Sequence, residues 1–260
     1  MEKQQKKGDS LGDRMKGYEE ATKTTLPRRM PVIIRIDGKA FHTYTKGCQR
    51  PWDANLVRVM DMTALELCKQ LQGVQVAYVQ SDEISLLLHN YKRLVSQAWF
   101  DNEVQKMVSV SASIASTTFS LNSKIIWQDS GGDCKPAYFD SRVFILPETE
   151  VNNYFVWRQQ DATRNSVQML ARSLYSHKEL MNKNNSELQD LCFAKGQNWN
   201  DLPISQRRGR CIIQTPRVMK INGEVVTRNE WVVDNEIPVF SKEKSFIDKF
   251  LTVDTPDTSK

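Results

Sequence analysis

Two apolar runs in this chain each end on a carboxylate, and together they admit few folds. One, Val32-Ile33-Ile34-Arg35-Ile36-Asp37-Gly38-Lys39, is β-rich and stops at an Asp-Gly corner. The other, Val76-Ala77-Tyr78-Val79-Gln80-Ser81-Asp82-Glu83-Ile84-Ser85-Leu86, reads as two strands folded back over a short polar turn, with Asp82 and Glu83 at the bend. Taken singly, Asp-Gly and Ser-Asp are ordinary turn residues. Carboxylates that a rigid sheet holds at strand ends can nevertheless converge on hard divalent cations, which take oxygen ligands. Two such cations can clamp the attacking and leaving oxygens of a phosphoryl transfer.

The segments between these runs have helical periodicity. Asp53 is a candidate N-cap for a helix in which Leu56, Val59, Met60, Thr63, Leu67 and Leu71 recur on one face until Gly73. A second helix is expected from about Asp101 to Leu121, with Val104, Met107, Val108, Ser111, Ala115 and Phe119 on one face. After Gly131-Gly132, Arg142 to Leu146 reads as a strand stopped by Pro147. The resulting order, β-α-β-β-α-β, is that of ferredoxin-like domains. Right-handed crossovers place the first and third strands side by side, which brings Asp37 next to the bend at Asp82. This is the geometry of a nucleic-acid polymerase palm, and the expected fold class is α+β.

The second half has a different pattern. A helix is expected from Asn152 to Tyr175, another starting at a Ser186-Glu187-Leu188-Gln189 capping box, and a last short one capped by Ser241 and running to Phe250. Arg210 to Ile213 and Glu224 to Thr227 form a hairpin about Asn222-Gly223. A short helix is expected over Leu11 to Glu20. Residues 1–150 are thus read as a palm-like core with an N-terminal extension. Residues 151–260 are read as a helical and hairpin extension packed on it as one compact unit.

Composition narrows the partners. The 260 residues carry a net charge of +5 and a pI near 8.9, which suits a nucleotide or nucleic-acid partner. No apolar stretch approaches the roughly 20 residues that span a bilayer, and the first ten residues lack the apolar core of a signal peptide. Five scattered cysteines (Cys48, Cys68, Cys134, Cys192, Cys211) include no CxxC, so neither a disulfide framework nor structural zinc is expected. The expectation is a reduced, cytoplasmic protein without a membrane partner, and Lys3, Lys6 and Lys7 are read as a disordered tail.

Four segments carry a family resemblance: Arg35-Ile36-Asp37-Gly38-Lys39-Ala40-Phe41-His42, Tyr78-Val79-Gln80-Ser81-Asp82-Glu83-Ile84-Ser85, Phe139-Asp140-Ser141-Arg142-Val143 and Trp157-Arg158-Gln159-Gln160-Asp161. In this order and spacing the chain resembles the tRNA(His) guanylyltransferase family, enzymes that extend RNA in the 3′-to-5′ direction, over roughly residues 10 to 230. One stretch departs. Where eukaryotic members carry a His-Ile-Asn-Asn-Leu-Tyr-Asn-Thr-like segment linked to selecting tRNA(His), this chain reads Thr163-Arg164-Asn165-Ser166-Val167-Gln168-Met169-Leu170. That departure resembles the guanylyltransferase-like branch, which is associated with template-dependent repair of 5′-truncated tRNA.

The resemblance implies two Mg²⁺ ions held by Asp37, Asp82 and the backbone carbonyl of Gly38, with Glu83 as a third acidic group. It implies ATP, GTP or other NTPs as substrates, tRNA as partner and a homo-tetramer. It also implies two stages: ATP activates a 5′-monophosphate, then the 3′-hydroxyl of an incoming NTP attacks it. Lys39, Ala40, Phe41, His42 and Ser81 would line the triphosphate, with Arg35, Arg50 and Lys106 as its cations. Arg158, Arg164, Asn165, Arg207 and Arg208 are candidate RNA contacts.

Simpler readings stand beside these. Phe41 suits a core position, His42 a loop hydrogen bond, and Arg207-Arg208-Gly209-Arg210 a solvated turn. At the level of function the alternative is a dedicated tRNA(His) guanylyltransferase adding G at the 5′ end, with a palm-type nucleotide cyclase and a non-catalytic RNA-binding module more remote. The GG[D/E]EF-type hairpin of such cyclases is absent, and strands bearing aliphatic residues and carboxylates offer RNA bases few aromatic platforms.

Overall fold

The computed structural model describes residues 10–91, 95–128, 135–221 and 224–252. Lys3, Lys6, Lys7, Gly131-Gly132, Cys134 and the Asn222-Gly223 turn lie outside the described residues. The chain begins with α1 (Leu11–Glu20), β1 (Val32–Gly38), α2 (Phe41–Tyr44), α3 (Ala54–Gln70), β2 (Val74–Gln80), β3 (Glu83–Leu88), α4 (Val104–Gln128) and β4 (Phe139–Ile145). It continues with α5 (Glu148–Leu174), α6 (His177–Leu180), α7 (Asn185–Ala194), α8 (Ile204–Arg208), β5 (Arg210–Ile221), β6 (Glu224–Asp234) and α9 (Ser245–Asp248).

The architecture is mixed helix and antiparallel sheet. Six strands run in the order β4-β1-β3-β2-β5-β6, every neighbour pair antiparallel. Strand alternation divides β1 between two cores. Val32, Ile34 and Ile36 pack beneath the sheet with Val59, Met60 and Leu67 of α3 and Met107, Ala115 and Phe119 of α4. Ile33 faces the other way, with Tyr78 and Leu87, against Val151, Tyr154 and Phe155 of α5 and Ile247 of α9. Past the sheet, Val167, Leu170 and Ala171 of α5 form a third cluster with Leu188 and Cys192 of α7, against which Trp52 and Trp199 pack.

Several boundaries differ from those expected. Phe100, Asp101 and Asn102 take positive φ (48°, 55° and 60°), so α4 starts at Val104, not Asp101. The buried Asn102 amide donates to the Pro27 carbonyl at 3.1 Å and fixes that kink. The helix then continues to Gln128, with Leu121 and Ile125 exposed on its outer face. The α7 cap is Asn184, not Ser186: its Oδ1 accepts from Ser186 N and Glu187 N, and Glu187 accepts back from Asn184 N at 2.7 Å. Ser241 caps nothing, because α9 starts at Ser245 behind Lys244. The four described cysteines are free.

Candidate active site

Asp37, Gly38 and Asp82 meet at one end of the sheet. Gly38 N donates to the Asp82 carbonyl at 3.2 Å, tying the end of β1 to the bend between β2 and β3. Ser81 opens that bend at φ 48°, a left-handed conformation that costs a non-glycine residue about 1–3 kcal/mol and recurs at functional sites. Gly38 has its own steric requirement. A Cβ there would stand 2.3 Å from the Phe41 ring, which is 4% exposed and packed against Tyr44, Phe119 and Phe139.

Register sets the electrostatics. Asp37 lies opposite Glu83 on β3 and Asp140 on β4, while Arg35 lies opposite Ser85 and Arg142. An acidic row and a basic row therefore cross the same face. Burial and the Asp140 charge push the Asp37 carboxyl up, against the lowering charges of Arg35, Arg142 and Arg158. Burial also raises Asp82; the Ser81 hydroxyl opposes that shift and the Asp37 charge adds to it. Among the described residues neither aspartate forms an ion pair.

Two half-buried, neighbouring carboxylates, neither in an ion pair among the described residues, fit a hard divalent cation. Among the described residues no group of three or more His, Cys, Asp or Glu gathers for a metal. The donor set is thus limited to Asp37, Asp82 and backbone carbonyls such as that of Gly38. Mg²⁺ is commonly held this way, by one or two carboxylates with waters and substrate phosphates completing its shell.

The loop after β1 lies beside this corner. Lys39, Ala40, His42 and Arg50 are exposed, as is Ser81 across the bend, and Ala40 enters α2 at φ 56°. Lys39 N donates to the Tyr138 carbonyl at 2.8 Å. Asp53 closes the loop, its carboxylate accepting from Asn55 N, Leu56 N and Gln49 N. Phe41 takes the core position of the simpler reading and not the lining role that the resemblance implied. Its ring belongs to the core beneath the loop and keeps position 38 a glycine.

Glu83 and Arg158 form a buried pair. Arg158 Nε donates to Glu83 Oε1 at 2.8 Å and its Nη2 to Asp161 at 2.8 Å, with the guanidinium 4.3 Å from the Trp157 ring centroid. Both side chains are under 10% exposed, so Arg158 is not the RNA contact expected from sequence. Desolvation works against its charge, and Glu83 together with Asp161 and Tyr154 more than restores it. Ser85 Oγ reaches Glu83 at 3.3 Å and the Tyr154 hydroxyl at 2.8 Å; burial pushes that tyrosine up to about 12. Arg35 approaches Trp157 at 6.0 Å. Farther along α5, Arg164 donates to Asp161 at 2.7 Å and stays exposed, as does Asn165.

Lys106 is elsewhere. It stands in the first turn of α4, 3.1 Å from Glu103, and α4 covers the sheet face opposite Asp37 and Glu83. Ser111, five residues on and roughly 8 Å along the axis at 1.5 Å per residue, is the residue that meets Ser141 of β4. Lys106 is therefore not a cation of this corner of the chain. Arg208 donates to the Ile237 carbonyl at 3.2 Å, and Arg207 lies 5.7 Å from the Trp199 ring. Arg210 is buried on Asp61 and the Val57 carbonyl. Sequence reading gave no role to Asp140 and Arg142. Their alternation along β4 matters only once the register puts them beside Asp37 and Arg35.

The family model described as tRNAHis guanylyltransferase matches residues 12–147. A bacterial tRNA(His) guanylyltransferase-like protein solved in complex with ATP is 44% identical, with a TM-score of 0.84, covering 94% of this chain and 100% of that one. One solved in complex with GTP is 41% identical at a TM-score of 0.76, covering 93% and 99%. A probable tRNA(His) guanylyltransferase of Drosophila melanogaster is 27% identical over 87% of this chain and 82% of its own. Among the described residues no helix is long and apolar enough to cross a membrane.

Proposed function

Because the chain belongs to the tRNAHis guanylyltransferase family and is by that membership a nucleotidyltransferase, we propose that it adds nucleotides to the 5′ end of tRNA in the 3′-to-5′ direction, directed by the opposing template strand. The observation that carries the reading is the convergence of Asp37, Gly38 and Asp82, joined by the Gly38–Asp82 hydrogen bond, with neither aspartate in an ion pair among the described residues. Asp37, Asp82 and the Gly38 carbonyl would hold Mg²⁺, which when bound lowers the pKa of an attacking hydroxyl and neutralises leaving-group charge. Lys39, His42, Arg50 and Ser81 would line the triphosphate, with Arg35 and Arg142 drawing phosphate toward the sheet. ATP and GTP, the ligands of the two bacterial relatives, are the proposed substrates.

In the proposed sequence a 5′-monophosphate oxygen attacks the ATP α-phosphorus and pyrophosphate leaves. The 3′-hydroxyl of the incoming NTP then attacks the activated 5′-phosphorus and AMP leaves. The strand order β4-β1-β3-β2 supports reading residues 1–150 as a ferredoxin-like palm, and the β2–β5 pairing supports residues 151–260 as an extension built onto it. Arg164, Asn165, Arg207 and Arg208 are the proposed RNA contacts, and a cytoplasmic homo-tetramer the proposed assembly. Thr163 to Leu170 lacks the tRNA(His)-selecting pattern, which favours selection by base pairing. A misfitted pair displaces the 3′-hydroxyl, and an error of ~1 Å costs about 100-fold in rate.

The test is 5′-truncated tRNA with labelled NTPs and Mg²⁺, the product read at nucleotide resolution. Changing the template base opposite the missing nucleotide should change the nucleotide added. Insertion of G opposite every base, restricted to tRNA(His), would identify a dedicated guanylyltransferase. Cyclic product from NTP alone would identify a cyclase.

A further inference from the structure

We infer that Arg158 and Glu83 are positioning residues: their buried ion pair clamps the hairpin bend against α5 and thereby sets where Asp82 stands relative to Asp37. The inference rests on the metal-site reading above. Glu83 directly follows Asp82 and lies opposite Asp37, and its carboxylate is buried in the sheet–α5 interface. There it takes Arg158 Nε at 2.8 Å and Ser85 Oγ at 3.3 Å. The second arm of the guanidinium is fixed on Asp161 and its plane lies near Trp157. Tyr154, one helical turn earlier, holds Ser85. The bend is thus gripped by one face of one helix.

The bend needs such a grip, because Ser81 sits at positive φ and a strained residue persists only where its surroundings over-determine it. Beyond the β1–β3 ladder, which ends at Asp37 and Glu83, the backbone of β1 reaches the bend through the Gly38–Asp82 hydrogen bond. A buried ion pair adds little to stability compared with apolar side chains of similar volume. Its effect here is geometric.

That difference separates the proposal from a purely structural role. The double variant Arg158→Met/Glu83→Met removes both charges and keeps unbranched apolar side chains at both positions. It should melt within about 3 °C of wild type, the equivalent of roughly 1 kcal/mol in a chain of this size. It should add nucleotides about 10- to 100-fold more slowly, as loss of an outer-shell partner does. Mn²⁺, titrated with GTP and followed by the electron paramagnetic resonance of the free ion, should bind about 10-fold more weakly. Glu83→Gln, which keeps an acceptor for Arg158 but not the charge, should lose less than the double variant on both readouts.

A folded double variant with unchanged rate and Mn²⁺ affinity overturns the inference. If the double variant does not fold, Arg158→Gln takes its place: the ion pair with Glu83 is lost, and an unchanged rate and Mn²⁺ affinity overturn the inference equally. Asp82→Asn, run alongside, distinguishes the two levels. If it loses rate and Mn²⁺ binding while the Arg158 variants lose neither, only the clamp is wrong; if it loses neither, the metal-site reading fails and the clamp with it.

Discussion

At the residue scale, two atoms' worth of space govern the corner. Gly38 has no side chain because the Phe41 ring occupies the place a Cβ would take, and three aromatic neighbours prevent that ring from yielding. Gly38→Ala should therefore cost about 1–3 kcal/mol by overpacking and slow nucleotide addition as the Asp37 strand end shifts. Phe41→Leu in the same background should recover part of the melting temperature. A Gly38→Ala protein with wild-type melting and rate would refute this steric account. The aspartates behave differently. Asp37→Asn and Asp82→Asn each remove a charge from a repelling pair, so thermal melting should hold or rise while Mg²⁺-dependent addition is lost. Turnover in either variant with wild-type metal dependence would remove the two-metal reading.

At the element scale, the β5–β6 ribbon stands apart from the sheet it extends. β2 pairs with β5 over Ala77–Val79 and Arg210–Ile212, and beyond Ile213 the partner of β5 is β6. The remaining residues could project roughly 30 Å at about 3.3 Å each, with Val218 and Val225 exposed near the tip. An isolated two-stranded hairpin is marginal in water, so this ribbon adds little to global stability. Joining Thr215 to Glu230 through Asn-Gly should leave the melting temperature within about 3 °C of wild type, less than a 1 kcal/mol core change brings. Loss of cooperative unfolding in a thermal scan would show instead that the ribbon belongs to the folding unit. The ribbon's length escaped sequence reading because charged and apolar residues are mixed on both of its faces, which blurs the period-two signal.

At the scale of the whole molecule, the loop from Lys39 to Asp53 connects the sheet corner to the α5–α7 cluster. Its near end is pinned by Phe41 in the lower core and its far end by Trp52 in the third cluster. Trp52→Ala should cost up to about 3 kcal/mol, the low end for a large aromatic because the side chain is only partly covered, and raise the KM for NTP more than it lowers kcat. A destabilised variant with unchanged KM would mean that the Asp53 cap alone orders the loop. The strands, the α3 helix and the Asp53 cap were legible because alternation, helical spacing and capping are local chemistry. The adjacency of Asp37 and Asp82 was legible too, since the handedness of crossovers fixes which strands are neighbours. Phe41 was legible as a core residue, but the places of Arg158 and Lys106 were not, because the partner of a guanidinium and the face a helix covers depend on what packs opposite. The sequence by itself determined the central strands and the long helices, their order and the carboxylates at the strand ends. Only the tertiary structure decided that Arg158 is clamped on Glu83, that Lys106 lies across the sheet and that Asp140 and Arg142 complete the rows. Register and helix packing bring together residues that no local pattern connects.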